Sequence, residues 1–235
     1  RPVSEGHLRR AWGFAVAYKN TGLGGGAQDK ASAEVELLPD GSAELRTASA
    51  ELGQGLVTVL QMIGAEELGL PLGQVRVLLS DTDLTPDGGP TTASRQTYVT
   101  GNAARLAAQA VRLAATATLA EKWECPPEGV RFSEGAAWVG ERCLPLAQVA
   151  EMMRDEGREP RALFEYSAPE TQPLGNVGDI HFAYSFAAQA VEVEVDMSTG
   201  EVRVLRVIAA NDVGRALNPL GLRAQIEGGV MMGLA

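Results

Sequence analysis

The stretch DTDLTPDGGPTTASRQTYVTGNAA, residues 81–104, decides how this chain is read. A short apolar run at 75–79 delivers the chain into it. Gly88, Gly89 and Pro90 then break regular structure, and Thr91, Thr92, Ser94, Gln96 and Thr97 crowd short polar groups ahead of a long apolar-periodic segment. A companion lies upstream at 51–58, ELGQGLVT, where Gly53 and Gly55 flank Gln54. Glycine on both sides lets the backbone approach a ligand while one amide, donor and acceptor at once, faces the gap. Each loop precedes a helix, where free amides and the positive end of the helix dipole favour an anion. The same residues are ordinary capping chemistry, and either loop alone reads first as a cap. The pair together points to a cradle for a large polar anion.

Working outward, apolar spacing predicts helices over 56–68, 98–123, 146–154 and 222–234. Strands are expected at 12–19, 33–38, 43–48, 75–79, 130–132, 137–139, 161–166, 187–196 and 202–210. The run at 12–19, WGFAVAYK, suits a buried strand. Residues 20–26, NTGLGGG, form a loop with no helix behind it, so phosphate binding is weakly indicated there. Pro39, Asp40 and Gly41 close one hairpin, and Ser198, Thr199 and Gly200 close another, in which Glu192 and Glu194 mark a wet face. Strands mixed with helices give an α+β class, mixed sheets packed with helices, in one domain over 1–235 with lobes of about 1–128 and 129–235.

Composition bounds the partners. The chain has 235 residues, 45% hydrophobic and 21% charged, with a formal charge of −10. That is an ordinary globular balance with ample core, and the negative charge without a basic stripe argues against nucleic acid. No apolar run reaches the roughly 20 residues of a membrane span, so a cytoplasmic location is expected; the first residue is Arg1 rather than Met, which leaves an export signal further upstream open. Cys125 and Cys143 have no Cys or His nearby at zinc-ligand spacing and read as free thiols. His7 and His181 lie far apart, so neither a metal site nor a catalytic triad is indicated.

Five motifs in order carry a resemblance: ELGQGL at 51–56, DTDLTPDGGPTTASRQT at 81–97 with GNA at 101–103, VEVEVDMSTGEVRV at 191–204, NDVGRALNP at 211–219 and QIEGGVMMG at 225–233. Together they resemble the molybdenum-binding subunit of the xanthine dehydrogenase and aldehyde oxidase family. The resemblance implies a share of a molybdopterin site. Gln54 matches the glutamine that hydrogen-bonds an oxo group at molybdenum, and Gly55 lets the backbone approach. Thr91, Thr92, Ala93, Ser94, Arg95, Gln96 and Thr97 match the loop that passes the metal and wraps the pterin and its phosphate, with Ala93 nearest the metal and Ser94, Gln96 and Thr97 as donors. Gln225 matches a pterin-contacting glutamine. The cofactor's own dithiolene sulfurs hold the metal, so no protein metal ligand is expected.

The implied activity is hydroxylation of an electrophilic carbon in an aldehyde or N-heterocycle, with electrons leaving through iron–sulfur clusters. The implied partners are the rest of the molybdenum subunit and iron–sulfur and FAD domains or subunits, in an oligomer. The family's general-base glutamate lies in a later Gly-Glu motif beyond Ala235; Glu227 belongs to a different motif, and no catalytic residue is assigned. The chain thus reads as an excerpt that folds but carries no cofactor by itself, with its two loops exposed and partly mobile. The competing reading is a non-catalytic module of the same fold that binds a phosphate or nucleotide or pairs with a partner.

Overall fold

The computed structural model describes residues 3–234 and divides into two compact units, one spanning Gly22–Phe182 and the other made of the flanks up to Thr21 and from Ala183. The chain opens with β1 (Val3–Glu5) and β2 (Leu8–Thr21) of the flanking unit. The central unit follows as β3 (Lys30–Leu37), β4 (Ala43–Thr47), α1 (Leu56–Leu68), β5 (Val75–Leu79), α2 (Gly101–Trp123), β6 (Arg131–Ser133), β7 (Ala136–Val139), β8 (Arg142–Pro145), α3 (Leu146–Asp155) and β9 (Arg161–Ser167). The flanking unit resumes with β10 (Ala183–Asp196), β11 (Val202–Asp212) and α4 (Pro219–Leu234).

The core lies in the central unit because alternation there is strict. Ala31, Ala33, Val35 and Leu37 of β3 and Ala43, Leu45 and Thr47 of β4 are buried, while Glu34, Glu36, Glu44 and Arg46 point to the other face. On that face Arg46 bridges all three carboxylates at 2.6–2.9 Å. The sheet runs β5-β4-β3-β9, antiparallel except for β4 and β5, which are parallel and joined through α1. The helix α2 buries Ala103, Ala104, Ala107, Ala108, Val111, Ala115 and Leu119 in the core. Its small residues let backbones approach: a Cβ on Gly101 would sit 3.0 Å from Ile63 of α1. A third, three-stranded sheet, β6-β7-β8, leads into α3.

Among the described residues, mixed sheets with four α-helices give the α+β class expected. The compact units, however, do not follow a cut near residue 128. β2 pairs with β10 along its whole length, from Thr21 opposite Ala183 to Leu8 opposite Asp196, which draws the two ends of the chain into one sheet, β1-β2-β10-β11. Two further expectations change in that sheet. The segment 12–19 is not buried: Trp12, Phe14, Val16 and Tyr18 are all exposed. Glu194, expected on a wet face, is buried and paired with Arg10 at 2.7 Å, its neighbour across the strands.

Leu45→Ala, at the fully buried centre of β4, should cost about 2–5 kcal/mol by cavity formation. Leu163→Ala on exposed β9 should stay within about 0.5 kcal/mol. Urea unfolding of both variants checks this, and equal losses would mean that the core is misassigned.

Candidate functional site

The loop at 88–97 is held from beneath by a buried ion pair. Arg95 is fully buried, and its Nε donates to Asp29 Oδ1 at 2.6 Å. Its two terminal nitrogens donate to the carbonyls of Gly88 (3.0 Å), Pro90 (2.9 Å) and Lys30 (2.6 Å). Asp29 Oδ2 accepts the amide of Leu23 at 2.8 Å, and the amide of Gly22 donates to the Ala93 carbonyl at 3.0 Å, so the glycine-rich stretch after β2 braces this loop. A Cβ on Gly88 would lie 2.6 Å from Ser49 Oγ and 2.7 Å from Thr47 Oγ1, so only glycine fits. Ala93 and Ser94 both take left-handed backbone angles, φ 52° each, an uncommon conformation for residues with a Cβ that the surrounding bonds must hold. From Gln96 to Thr100 the chain makes a π-helical turn before α2 begins.

The companion loop satisfies its own helix. Glu51 accepts the amides of Gly53 (2.8 Å), Gly55 (3.0 Å) and Val57 (3.0 Å). Partial burial pushes its carboxyl up, but the amides of Val57, Gly55, Gly53 and Leu56 together outweigh that and hold it below its ordinary value. Gly53 and Gly55 reach φ 95° and 84°, where glycine has no steric penalty. Gln54 is half-buried and folds back, its Nε2 donating to the Ala50 carbonyl at 2.9 Å and its Oε1 accepting the Leu52 amide at 2.5 Å.

Tertiary structure joins the two loops. The amide of Ala50 donates to Thr91 Oγ1 at 2.9 Å, and Gln96 Nε2 donates to the same oxygen at 3.0 Å. Gln96 Oε1 accepts from Ser49 Oγ at 2.9 Å and from the Thr100 hydroxyl. With both lone pairs of Thr91 Oγ1 engaged, its hydroxyl is left to donate onward. Thr92, Ser94 and Thr97 are exposed, and Thr91 and Ala93 are half-buried. The loop is therefore not uniformly exposed: Arg95 and Gln96, expected with it at the surface, are buried and turned inward, and Gln96 braces the loop from within rather than donating outward. Gln225 is exposed on α4 of the flanking unit. Three contributors escaped sequence reasoning: Asp29, Ser49 and Glu51. Only Glu51 carried a local signal, an acid just ahead of a helix start.

Among the described residues no three His, Cys, Asp or Glu side chains converge as a metal would require, and no helix is long and apolar enough to cross a membrane. Residues 2–235 match the family described as the molybdopterin cofactor-binding domain. Over 232 residues the chain is 32% identical to a probable xanthine dehydrogenase subunit from Bacillus subtilis (strain 168), covering 97% of this chain and 30% of that protein. It is 30% identical to the aldehyde oxidoreductase molybdenum-binding subunit PaoC of Escherichia coli O157:H7, covering 99% and 29%. The crystal structure of the aldehyde oxidoreductase from Desulfovibrio desulfuricans ATCC 27774 superposes with a TM-score of 0.75 at 29% identity, over 98% of this chain and 23% of that one.

Arg95→Ala strands Asp29 as an unpaired buried charge and should destabilise the fold by about 3–5 kcal/mol, with Asp29→Ala doing the same. In the double variant the two losses should be far from additive in chemical denaturation. For Glu51 the sign follows from its lowered native value: its stabilisation is complete above the unfolded-state carboxylate range and disappears as pH falls through the native value. Glu51→Gln should accordingly lose stability at neutral pH and approach wild type in acid; a gap independent of pH would count against an ionised cap.

Proposed function

The chain belongs to the molybdopterin cofactor-binding domain family, and on that premise we propose that it forms part of the cofactor cradle of a larger molybdenum-dependent oxidoreductase. It spans 30% of the length of the first of these relatives. The activity of the whole protein, hydroxylation of an aldehyde or N-heterocycle, is accordingly part of the proposal, as are iron–sulfur and FAD partners. One observation carries the assignment: two glycine-bearing polar loops, more than thirty residues apart in the chain, are stitched side by side through Ala50 and Thr91.

The residues present fit the group. A molybdopterin has a polar, hydrogen-bonding ring and a phosphate, and the linked loops offer donors of more than one kind. The Thr91 hydroxyl is oriented as a donor by its two filled lone pairs. Ser94 and Thr97 add exposed hydroxyls, and Gln54 Nε2 has a second proton beyond the one given to Ala50. Ala93 keeps its side chain to one methyl where the chain turns left-handed, and its carbonyl is tied back by Gly22. Bound there, the cofactor supplies the redox centre for oxidation of the substrate. The chain's own part is to orient that group and hold its anionic end, with Arg95 and Gln96 keeping the loop in register.

Ala93 gives the test, made on the full-length protein by molybdenum analysis and phosphate release. Wild type should carry molybdenum. Ala93→Leu should lose most of it, because a branched side chain fills the space beside the loop. Ala93→Gly should keep it, since glycine adopts φ 52° freely. Equal loading of both variants would reduce the loop to a helix cap. Phosphate ligand without molybdenum would favour the non-catalytic module.

A further inference from the structure

The loop that carries Gln54 has almost nothing to pack against. Leu52 is 73% exposed, and a Cβ at Gly53 or Gly55 would meet no atom within 4 Å. One carboxylate gathers three of the amides around this turn. Glu51 Oε1 takes the amides on either side of Gln54, Gly53 at 2.8 Å and Gly55 at 3.0 Å, while Oε2 takes Val57 in the first turn of α1 at 3.0 Å. Two left-handed glycines, φ 95° and 84°, turn those flanking amides toward the same acceptor. Charge-assisted bonds from a carboxylate to backbone amides are stronger than neutral ones, and three to one group fix both position and orientation. Gln54 sits at the centre of this clamp, its side chain further set by Ala50 and Leu52.

We propose that Glu51 is a positioning residue of the molybdopterin site: its carboxylate clamps the backbone on both sides of Gln54 and so fixes the place from which the Gln54 amide, through its second Nε2 proton, meets the cofactor. The proposal rests on the reading of Gln54 as a cofactor-contacting side chain. It also separates the roles of the two loops. The start of α1 is filled by the protein's own anion, so the cofactor's phosphate falls to the loop at 91–97. Groups that orient a ligand to a metal centre, without touching the metal, change affinity or activity by about 10–100-fold when removed.

The test is a double-mutant cycle in the full-length holoenzyme with Glu51→Gln, Gln54→Ala and their combination. It reads kcat, molybdenum content and the Mo(V) electron paramagnetic resonance spectrum. Glu51→Gln should lower kcat about tenfold at unchanged molybdenum content and shift the Mo(V) spectrum in the same sense as Gln54→Ala. In the Gln54→Ala background, adding Glu51→Gln should do nothing more, because the residue it positions is gone. Should Glu51→Gln not fold, Glu51→Asp serves: it keeps the charge but is one methylene too short to clamp all three amides, and its kcat should fall between. Multiplying losses, or a wild-type Mo(V) spectrum in the Glu51 variant, would overturn the positioning role while leaving the cofactor reading intact. A Gln54→Ala enzyme with wild-type kcat and spectrum would instead overturn the reading beneath it, and the proposal with it.

Discussion

Arg95 is the constraint on which the central unit's polar loop depends. A guanidinium removed from water is tolerated only if its charge is paired and its N–H groups are bonded, and here one carboxylate and three carbonyls meet that demand. Those partners come from two places in the chain: Asp29 and Lys30 at the start of β3, and Gly88 and Pro90 on the loop itself. The arginine therefore fixes where the loop sits on the sheet as well as its internal shape. The left-handed pair Ala93 and Ser94 is held within that frame, with the Gly22 amide on the Ala93 carbonyl as its outer tie.

The two loops solve the same helix-start problem in different ways. At α1 Glu51 accepts the amide of Val57 in the first turn and those of Gly53 and Gly55 just before it, so an anion of the protein's own sits at this helix start. Before α2 the chain makes a π-helical turn, and a buried glutamine, Gln96, collects Ser49, Thr100, Thr91 and the Pro90 carbonyl. Irregular turns of this kind recur at functional sites. One loop presents an amide side chain on a clamped turn; the other presents hydroxyls on a braced one. Both arrangements hold their donors in fixed positions, the preorganisation that lowers the entropic cost of binding in the proposed role.

The flanking unit follows another rule. In its long strands Trp12, Phe14, Val16, Tyr18, Phe186 and Ile208 remain exposed. Alternation specifies which residues share a face, but not what packs against that face.

The sequence by itself determined the class of nearly every element, because period and punctuation are local: the alternation at 33–37 and 43–47, the spacing of apolar residues at 56–68, and the glycines and prolines that stop each run. It also marked both polar loops, through residue types that no core requires. Tertiary structure alone decided how they are used. Arg95 and Gln96 are indistinguishable in sequence from Ser94 and Thr97 as loop polar groups, and only burial against Asp29 and Ser49 turns them inward. The pairing of β2 with β10, across more than 160 residues, set the boundary between the units where local composition gave no sign. Such long-range pairing depends on which surfaces remain to be covered once local structure has formed. That is a property of the folded chain rather than of any window of residues.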